Sequence, residues 1–258
     1  MKVFDLYRDK SLSVIVPVYN EEKNIKQNIS VLENELKQYF DHYEIIVVSD
    51  GSADKTYEEA LKYRSDKVRI LHYPNNQGKG FALKYGFGQS HGDYVIFIDG
   101  GMELHPKDIK IFLGLMEIYD VDAVIGSKRH PQSKINYPLS RRILSRIYQL
   151  FIRKFLNVNV KDTQVGLKLF KRKVLEDVLP RVVVKRYAFD LEVFTVASHL
   201  GYKNILEAPI ELDFRVSKRG FFPDLAHTLK VGWPLLWDTL AIVYRLKILK
   251  YYDRKTEE

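Results

Sequence analysis

Cysteine is absent from the 258 residues, so neither a disulfide framework nor a thiolate metal site is available, and a reducing compartment is permitted. Histidine is sparse too: its seven copies show no H-x-x-x-H spacing, and none reads as a metal ligand. The opening residues carry acids and lack an apolar h-region, which predicts no signal peptide. A spanning helix needs ~20 mostly apolar residues, and the most apolar stretch, 223–252, is interrupted by Pro234, Asp238, Arg245 and Lys247. No internal repeat or low-complexity linker is present. Two nucleotide motifs are also missing. No G-x-G-x-x-G follows the first strand pattern, and Gly78-Lys79-Gly80 lacks the Ser or Thr that a phosphate-binding P-loop carries after its Lys.

What is there can bury a substantial core. With 46% hydrophobic residues, the chain predicts one α/β domain, or one domain with a tail. A formal charge of +8 and a pI near 9.3 point to phosphates, whether of nucleic acid, nucleotide or anionic lipid. The charge is unevenly placed. Residues 123–161 contain no Asp or Glu, yet Lys128, Arg129, Lys134, Arg141, Arg142, Arg146, Arg153, Lys154 and Lys161 fall there.

Apolar runs at 12–18, 43–48, 68–73 and 94–98 alternate with helical periodicities. The resulting β-α-β-α-β-α-β order predicts a parallel sheet covered on both faces. Asn20 is expected to cap the first helix, whose inward residues are Ile25, Ile29, Leu32 and Leu36. Tyr57, Ala60 and Leu61 are expected inward on the second. The fourth run, Tyr94-Val95-Ile96-Phe97-Ile98, ends in Asp99-Gly100-Gly101, as a buried strand does when it delivers a carboxylate to the edge where open α/β sheets bind ligands. A turn-forming Asp is the alternative for such an ending in isolation. A short fifth strand is expected at 123–127, and a late one at 205–214 with Pro209 marking an edge or bulge.

At ~100° per residue, the 138–156 stretch places Arg142, Arg146, Gln149 and Arg153 on one stripe, with Leu144, Ile147, Tyr148, Phe151 and Phe155 opposite. That pattern suits a surface of anionic phosphates. The tail is read as lying on a membrane, with Trp233, Trp237 and Tyr244 at headgroup level, or as packed on the domain or a second subunit.

Val14-Ile15-Val16-Pro17-Val18-Tyr19-Asn20-Glu21-Glu22, Val48-Ser49-Asp50-Gly51-Ser52, Asn76-Gln77-Gly78-Lys79-Gly80 and the Asp99 strand end together resemble the family 2 glycosyltransferases of the GT-A fold. Asp162-Thr163-Gln164-Val165-Gly166-Leu167-Lys168-Leu169-Phe170 and Ala188-Phe189-Asp190-Leu191-Glu192 are similar to the branch of dolichyl-phosphate mannosyl- and glucosyltransferases. The match runs over about residues 11–220. It implies a mostly parallel Rossmann-like sheet and a catalytic domain over 1–220, which leaves 221–258 as the amphipathic membrane-associating tail read from its own pattern.

The resemblance also implies roles. Pro17, Tyr19, Glu21 and Asp50 would meet base and ribose, Lys79 the donor region, and Asp99 with Gly100 the diphosphate and an Mg2+ or Mn2+ ion. The family usually has a second Asp and often a Gln where this chain has Gly101 and Glu103, so Glu103 is expected to stand in as the further metal ligand. Leu104 looks inserted. Arg129, Arg141 and Ser145, in an R-x-x-x-S arrangement for the last two, with Arg215 and Lys218, would hold an acceptor phosphate. Lys128 stands where the family more usually has Arg. Catalysis is thus expected from Asp99, Arg129, Arg141 and Asp162.

The implied reaction moves a hexose, glucose or mannose, from a UDP- or GDP-sugar to a polyprenyl phosphate of dolichyl type, with inversion, on the cytoplasmic face of a membrane. A phosphate monoester is already largely dianionic at neutral pH and needs cations in place of a base, its second pKa being ~6. Two alternatives stay open: transfer to a saccharide hydroxyl with Asp162 or Asp190 as base, and a non-catalytic nucleotide-sugar or lipid-phosphate binding module. Nucleic-acid binding ranks lowest, because aromatics are not interleaved with the basic stripe. Oligomeric state is not legible.

Overall fold

The structure is a computed structural model and describes residues 10–101, 106–134, 148–149, 152, 154–156, 158, 160, 162–211 and 225–253. Seven strands form one sheet: β1 (Ser11–Val18), β2 (His42–Asp50), β3 (Val68–Tyr73), β4 (Tyr94–Ile98), β5 (Ala123–Gly126), β6 (Leu167–Lys171) and β7 (Ile205–Ala208), in the order β3-β2-β1-β4-β6-β5-β7. β1 to β4 are mutually parallel, as the β-α-β alternation predicts. Their residues are apolar on both faces because helices cover both. Val14 and Val16 enter one core layer with α1 (Ile25–Leu36), while Ile15 and Val48 enter the other with α3 (Lys79–Gly88).

β6 departs from expectation. It inserts between β4 and β5 and runs antiparallel to both. Its sequence, Leu-Lys-Leu-Phe-Lys, hides this because Lys168 lies at 1% exposure inside the fold where an apolar residue is the rule. β7 closes the edge, parallel to β5, and stops before Pro209, so the late strand is shorter than the 205–214 pattern suggests.

Four helices complete the described layers: α2 (Thr56–Leu61), α4 (Ile109–Tyr119), α5 (Arg172–Val178) and α6 (Phe189–His199). Leu61, expected inward, is 36% exposed, and Thr56 and Ala60 are the buried residues of α2. Asn20 does not cap α1, whose N-cap is Asn24. Asn20 instead adopts a left-handed conformation (φ 55°), and its Oδ1 accepts the Ala53 N–H at 2.9 Å, tying the end of β1 to the loop after β2.

Of the 138–156 stretch, the described fragments correct the face assignment. Gln149, assigned to the phosphate stripe, is buried with Ile152 and Leu156, while Phe155 is 37% exposed. The 3-and-4 spacing of Gln149, Ile152 and Leu156 puts all three on the inner face, and burial of the two aliphatics carries the glutamine with them.

The tail forms α7 (Leu225–Lys247). Its inner face, Thr239 and Ile242 with Leu235, Val243 and Leu246, packs on the α/β core, and Tyr148 and Thr239 share a 2.8 Å hydroxyl hydrogen bond. Its outer face is left bare: Trp233, Leu236, Trp237, Leu240 and Tyr244 recur at 3-and-4 spacing and are each 40% exposed or more. No helix of the described residues is long and apolar enough to cross a membrane. A buried polar latch secures this docking. Glu192 of α6, 0% exposed, accepts the Tyr252 hydroxyl at 2.6 Å and the Arg245 Nε–H at 3.1 Å on one oxygen, with Arg245 Nη2 2.8 Å away as an ion pair. Its other oxygen takes the Val183 and Val184 N–H groups at 2.8 and 2.6 Å.

Candidate active site

A cleft of about 480 Å³ opens at the carboxyl ends of β1, β2 and β4. This is the edge where a parallel sheet presents strand-end side chains and ligands bind. A smaller hollow of about 350 Å³ lies at the opposite strand ends, around Ser11, His42 and His91.

At one side of the cleft, Asp50 ends β2 and is 4% exposed. Its carboxylate is saturated by its own neighbourhood: Gln77 N–H donates to Oδ1 at 2.7 Å, and Gly78 N–H and Asn76 Nδ2 donate to Oδ2 at 3.0 Å each. Asp50 thereby fixes the Asn76–Gly78 turn as a wall, a task a buried carboxylate performs because each of those bonds is charge-assisted. Pro17 and Tyr19 continue this wall from β1, with Tyr19 49% exposed. Glu21 sits beyond the cleft lining, its backbone N–H bonded to Thr56 Oγ1 at 2.7 Å and its carboxylate to Asn24 Nδ2 at 3.3 Å.

At the other side, Asp99 leaves β4 with its N–H donating to Gly166 O at 3.0 Å. Its carboxylate lies against Gly166. A Cβ at that glycine would sit 2.3 Å from Asp99 Oδ2, so only glycine admits the carboxylate there. Lys79, first residue of α3, places Nζ 2.6 Å from Asp99 Oδ1 and 3.6 Å from Asp190 Oδ2. Asp190 Oδ1 in turn lies 3.0 Å from the Nζ of buried Lys168, which also donates to Val165 O. Carboxylates and ammonium groups therefore alternate from the cleft rim into the core: Asp99, Lys79, Asp190, Lys168. The meeting of α3 and α6 makes this row possible. A Cβ on Gly80 would fall 2.4 Å from the Phe189 ring, so the two helix starts touch where any larger residue would part them.

Burial alone would push the Asp190 carboxyl up, but Lys168 and Lys79 overcome it and hold the group below the usual carboxylate range. Desolvation likewise opposes the charge on Lys79, and Asp190 and then Asp99 reverse it, raising the ammonium above its ordinary value. Lys168 is drawn down, its loss of water outweighing Asp190.

The structure brings Pro17, Tyr19, Asp50, Lys79, Asp99 and Gly100 into one cleft, and leaves others outside it. Asp162 is 8% exposed and braces backbone, accepting the N–H groups of Lys128 and Gln164 at 3.2 Å each. Arg129 follows β5, away from the cleft lining, its N–H bonded to Ser127 Oγ at 3.3 Å. Glu103, Arg141, Ser145, Arg215 and Lys218 lie outside the described residues. Sequence reasoning assigned no role to Arg186 and Tyr187, which line the cleft beside Gly78; their position just before the Ala188-Phe189-Asp190 motif was the available signal.

Among the described residues no group of three His, Asp or Glu side chains is placed to hold a metal ion. Asp99 alone is a half-exposed carboxylate at the cleft rim, its second oxygen cradled over Gly166. One carboxylate fits a hard divalent cation that takes its remaining oxygens from a ligand's phosphates.

The family model described as Glycosyl transferase family 2 matches residues 13–179. A dolichyl-phosphate beta-glucosyltransferase of Trichomonas vaginalis is 30% identical over 258 residues, covering 95% of this chain and 77% of that protein. The mouse protein named dolichyl-phosphate beta-glucosyltransferase is 33% identical over 74% of this chain, which spans 64% of its length. Among solved structures, glucosyl-3-phosphoglycerate synthase of Mycobacterium tuberculosis superposes with a TM-score of 0.71 at 19% identity, over 94% of this chain and 84% of that one. The same enzyme in complex with Mn2+, UDP and phosphoglyceric acid gives 0.70 at 18% identity, over 94% and 81%. At such identities the likeness is one of fold, the GT-A fold that the resemblance implies. With the ends of β1, β2 and β4 and the β6 insertion all inside the matched span, the chain belongs to glycosyl transferase family 2.

Proposed function

We propose that the protein transfers a hexose, glucose or mannose, from a nucleotide diphosphate sugar to a polyprenyl phosphate of dolichyl type. One observation carries this choice of acceptor: the described cleft holds no carboxylate free to act as a base. Asp50 is saturated by backbone and Asn76, Asp99 is paired with Lys79, and Asp190 is kept ionised below the usual range by two ammonium groups. A hydroxyl acceptor needs a general base near the attacking oxygen, and a phosphate dianion does not. The relatives' names point the same way.

In this reading the nucleoside lies along Pro17, Tyr19 and the Asp50-braced turn, and the diphosphate turns toward Lys79 and Asp99. An oxygen of the acceptor phosphate attacks the sugar's anomeric carbon in line as the bond from that carbon to the diphosphate oxygen breaks, with inversion. No proton moves. Lys79, at the N-terminal end of α3, meets the charge that develops on the leaving diphosphate. Asp99 would hold Mg2+ or Mn2+ together with diphosphate oxygens, and Glu103 would add a ligand. A divalent ion, when bound, supplies charge neutralisation to the leaving group. Arg129, Arg141, Ser145, Arg215 and Lys218 would gather the acceptor phosphate. The bare aromatic face of α7 would rest on the cytoplasmic side of a membrane with the tail, 221–258, as its attachment.

Incubation with labelled UDP-glucose, GDP-mannose and related donors, each with polyprenyl phosphate or with a soluble oligosaccharide, tests the assignment. Label is expected in the lipid phase, acid-labile as a phosphosugar, and lost in Asp99→Asn. Label on the oligosaccharide would instead establish the hydroxyl acceptor. Tight donor binding without turnover under any divalent metal would establish a binding module. Attachment is read separately: Trp233→Ser with Trp237→Ser is expected to release the protein from anionic vesicles without lowering nucleotide affinity.

A further inference from the structure

The cations of the cleft are unequally committed. Lys79 sits between Asp99 and Asp190, and Lys168 is sealed behind Asp190. Arg186 also lines the cleft and its side chain is exposed, yet among the described residues no hydrogen bond or ion pair engages its guanidinium. An arginine left without a carboxylate in a cleft that holds three acids is a group waiting for an anion.

Its backbone, by contrast, is pinned from three directions. Val183 and Val184 donate to Glu192, Lys185 O accepts the N–H groups of Gly80 and Phe81 at 2.9 and 3.3 Å, and Arg186 O accepts Phe189 N–H at 3.2 Å. The stem of the side chain crosses Gly78, its Cγ 2.6 Å from where a Cβ on that glycine would stand. Arg186 is thereby laid along the Asp50-braced turn, beside the start of α3. A rigid base with a free planar fork is the arrangement that suits bidentate binding of phosphate oxygens.

We propose that Arg186 grips the outer phosphate of the donor's diphosphate, on the nucleotide side of Lys79, and so sets the preference of this cleft for nucleoside diphosphates over monophosphates. The inference rests on the nucleotide-sugar reading of the cleft. Lys79 is the point charge that faces the breaking bond, and Arg186 is the fork that orients the phosphate carrying it. The acceptor phosphate is not its ligand, because Gly78 and the Asp50 turn form the nucleotide wall.

Calorimetric titration of UDP, UMP, GDP and GMP, with Mg2+ present throughout, separates the outcomes for the unaltered protein, Arg186→Gln and Arg186→Lys. The preferred diphosphate should lose roughly tenfold to a hundredfold in affinity in Arg186→Gln, the size of one lost charge-assisted contact. The matching monophosphate should change by less than about twofold, and Arg186→Lys should recover only part of the loss because it keeps charge without the fork. Melting temperature should not move, since the side chain is exposed. In transfer assays the donor KM should rise while the acceptor KM holds. Equal losses for mono- and diphosphate, or a rise confined to the acceptor KM, would overturn the assignment. Failure of the unaltered protein to bind any of the four nucleotides would overturn the nucleotide-sugar reading beneath it.

Discussion

Replacing Gly166 with Ala perturbs one contact and should disable the site with little loss of fold. The new methyl carbon would lie 2.3 Å from Asp99 Oδ2 and 2.5 Å from Cγ, over 1 Å inside ordinary van der Waals contact. Gly166 O is also the acceptor for Asp99 N–H, so the backbone of β4 resists moving and the carboxylate must rotate away. That rotation breaks the 2.6 Å approach to Lys79 and removes the oxygen cradled for a cation. A displacement of ~1 Å at a reacting centre costs on the order of a hundredfold in rate. The fold should lose only about 1 kcal/mol, at the low end for overpacking, because Asp99 is half-exposed and can yield into the cleft. Hexose transfer under increasing Mg2+ or Mn2+ is the assay, with denaturant unfolding alongside. The expected result is a strongly reduced kcat that rising metal restores only in part. Normal turnover with an unchanged metal requirement would refute the role given to this carboxylate and its glycine.

The latch at Glu192 and the charge row give two more expectations. Arg245→Met removes one partner of a buried carboxylate and should destabilise by about 3 to 5 kcal/mol; combined with Glu192→Gln the loss should be smaller than the two single losses together, and additive effects by denaturant unfolding would refute the pairing. Asp190 is held below the usual carboxylate range, so its share of stability is fully present above the unfolded value of ~3.9 and is lost as pH falls through the lower folded value. Denaturant midpoints measured from pH 2 to 6 should fall on the acid side, and Asp190→Asn should flatten that limb.

The half of the fold built from β1 to β4 was legible because a strand buried on both faces reads as a continuous apolar run, and Asp50 and Asp99 could be placed at its ligand edge by counting to the end of each run. β6 was not legible, since Lys168 interrupts its pattern for the sake of Asp190, a partner 22 positions later. Asn20 misled for a related reason. An Asn before a helical periodicity is a good cap, and nothing local shows that its carbonyl is claimed by Ala53 across the sheet edge. Periodicity assigned Gln149 to the wrong face because polarity was weighed without the flanking Ile152 and Leu156. The resemblance gives Asp162 a place in the chemistry, and the motif alone does not show that its carboxylate also accepts two backbone N–H groups. Arg186 was invisible as a site residue because its meaning depends on Gly78, more than a hundred positions earlier.

The latch has a consequence for how the protein comes into being. Glu192 is answered by Arg245 and Tyr252, 53 and 60 positions further along the chain. On the ribosome, the sheet from β1 to β7 has emerged while that carboxylate still lacks its cation, and burying it unpaired is unfavourable. The Val183–Val184 segment that leans on it, and with it the Lys185 carbonyl clasping the start of α3, is therefore set only when the C-terminal segment arrives. The donor cleft, two of whose three acids come from the first hundred residues, thus waits for residues 245 and 252 to complete its wall.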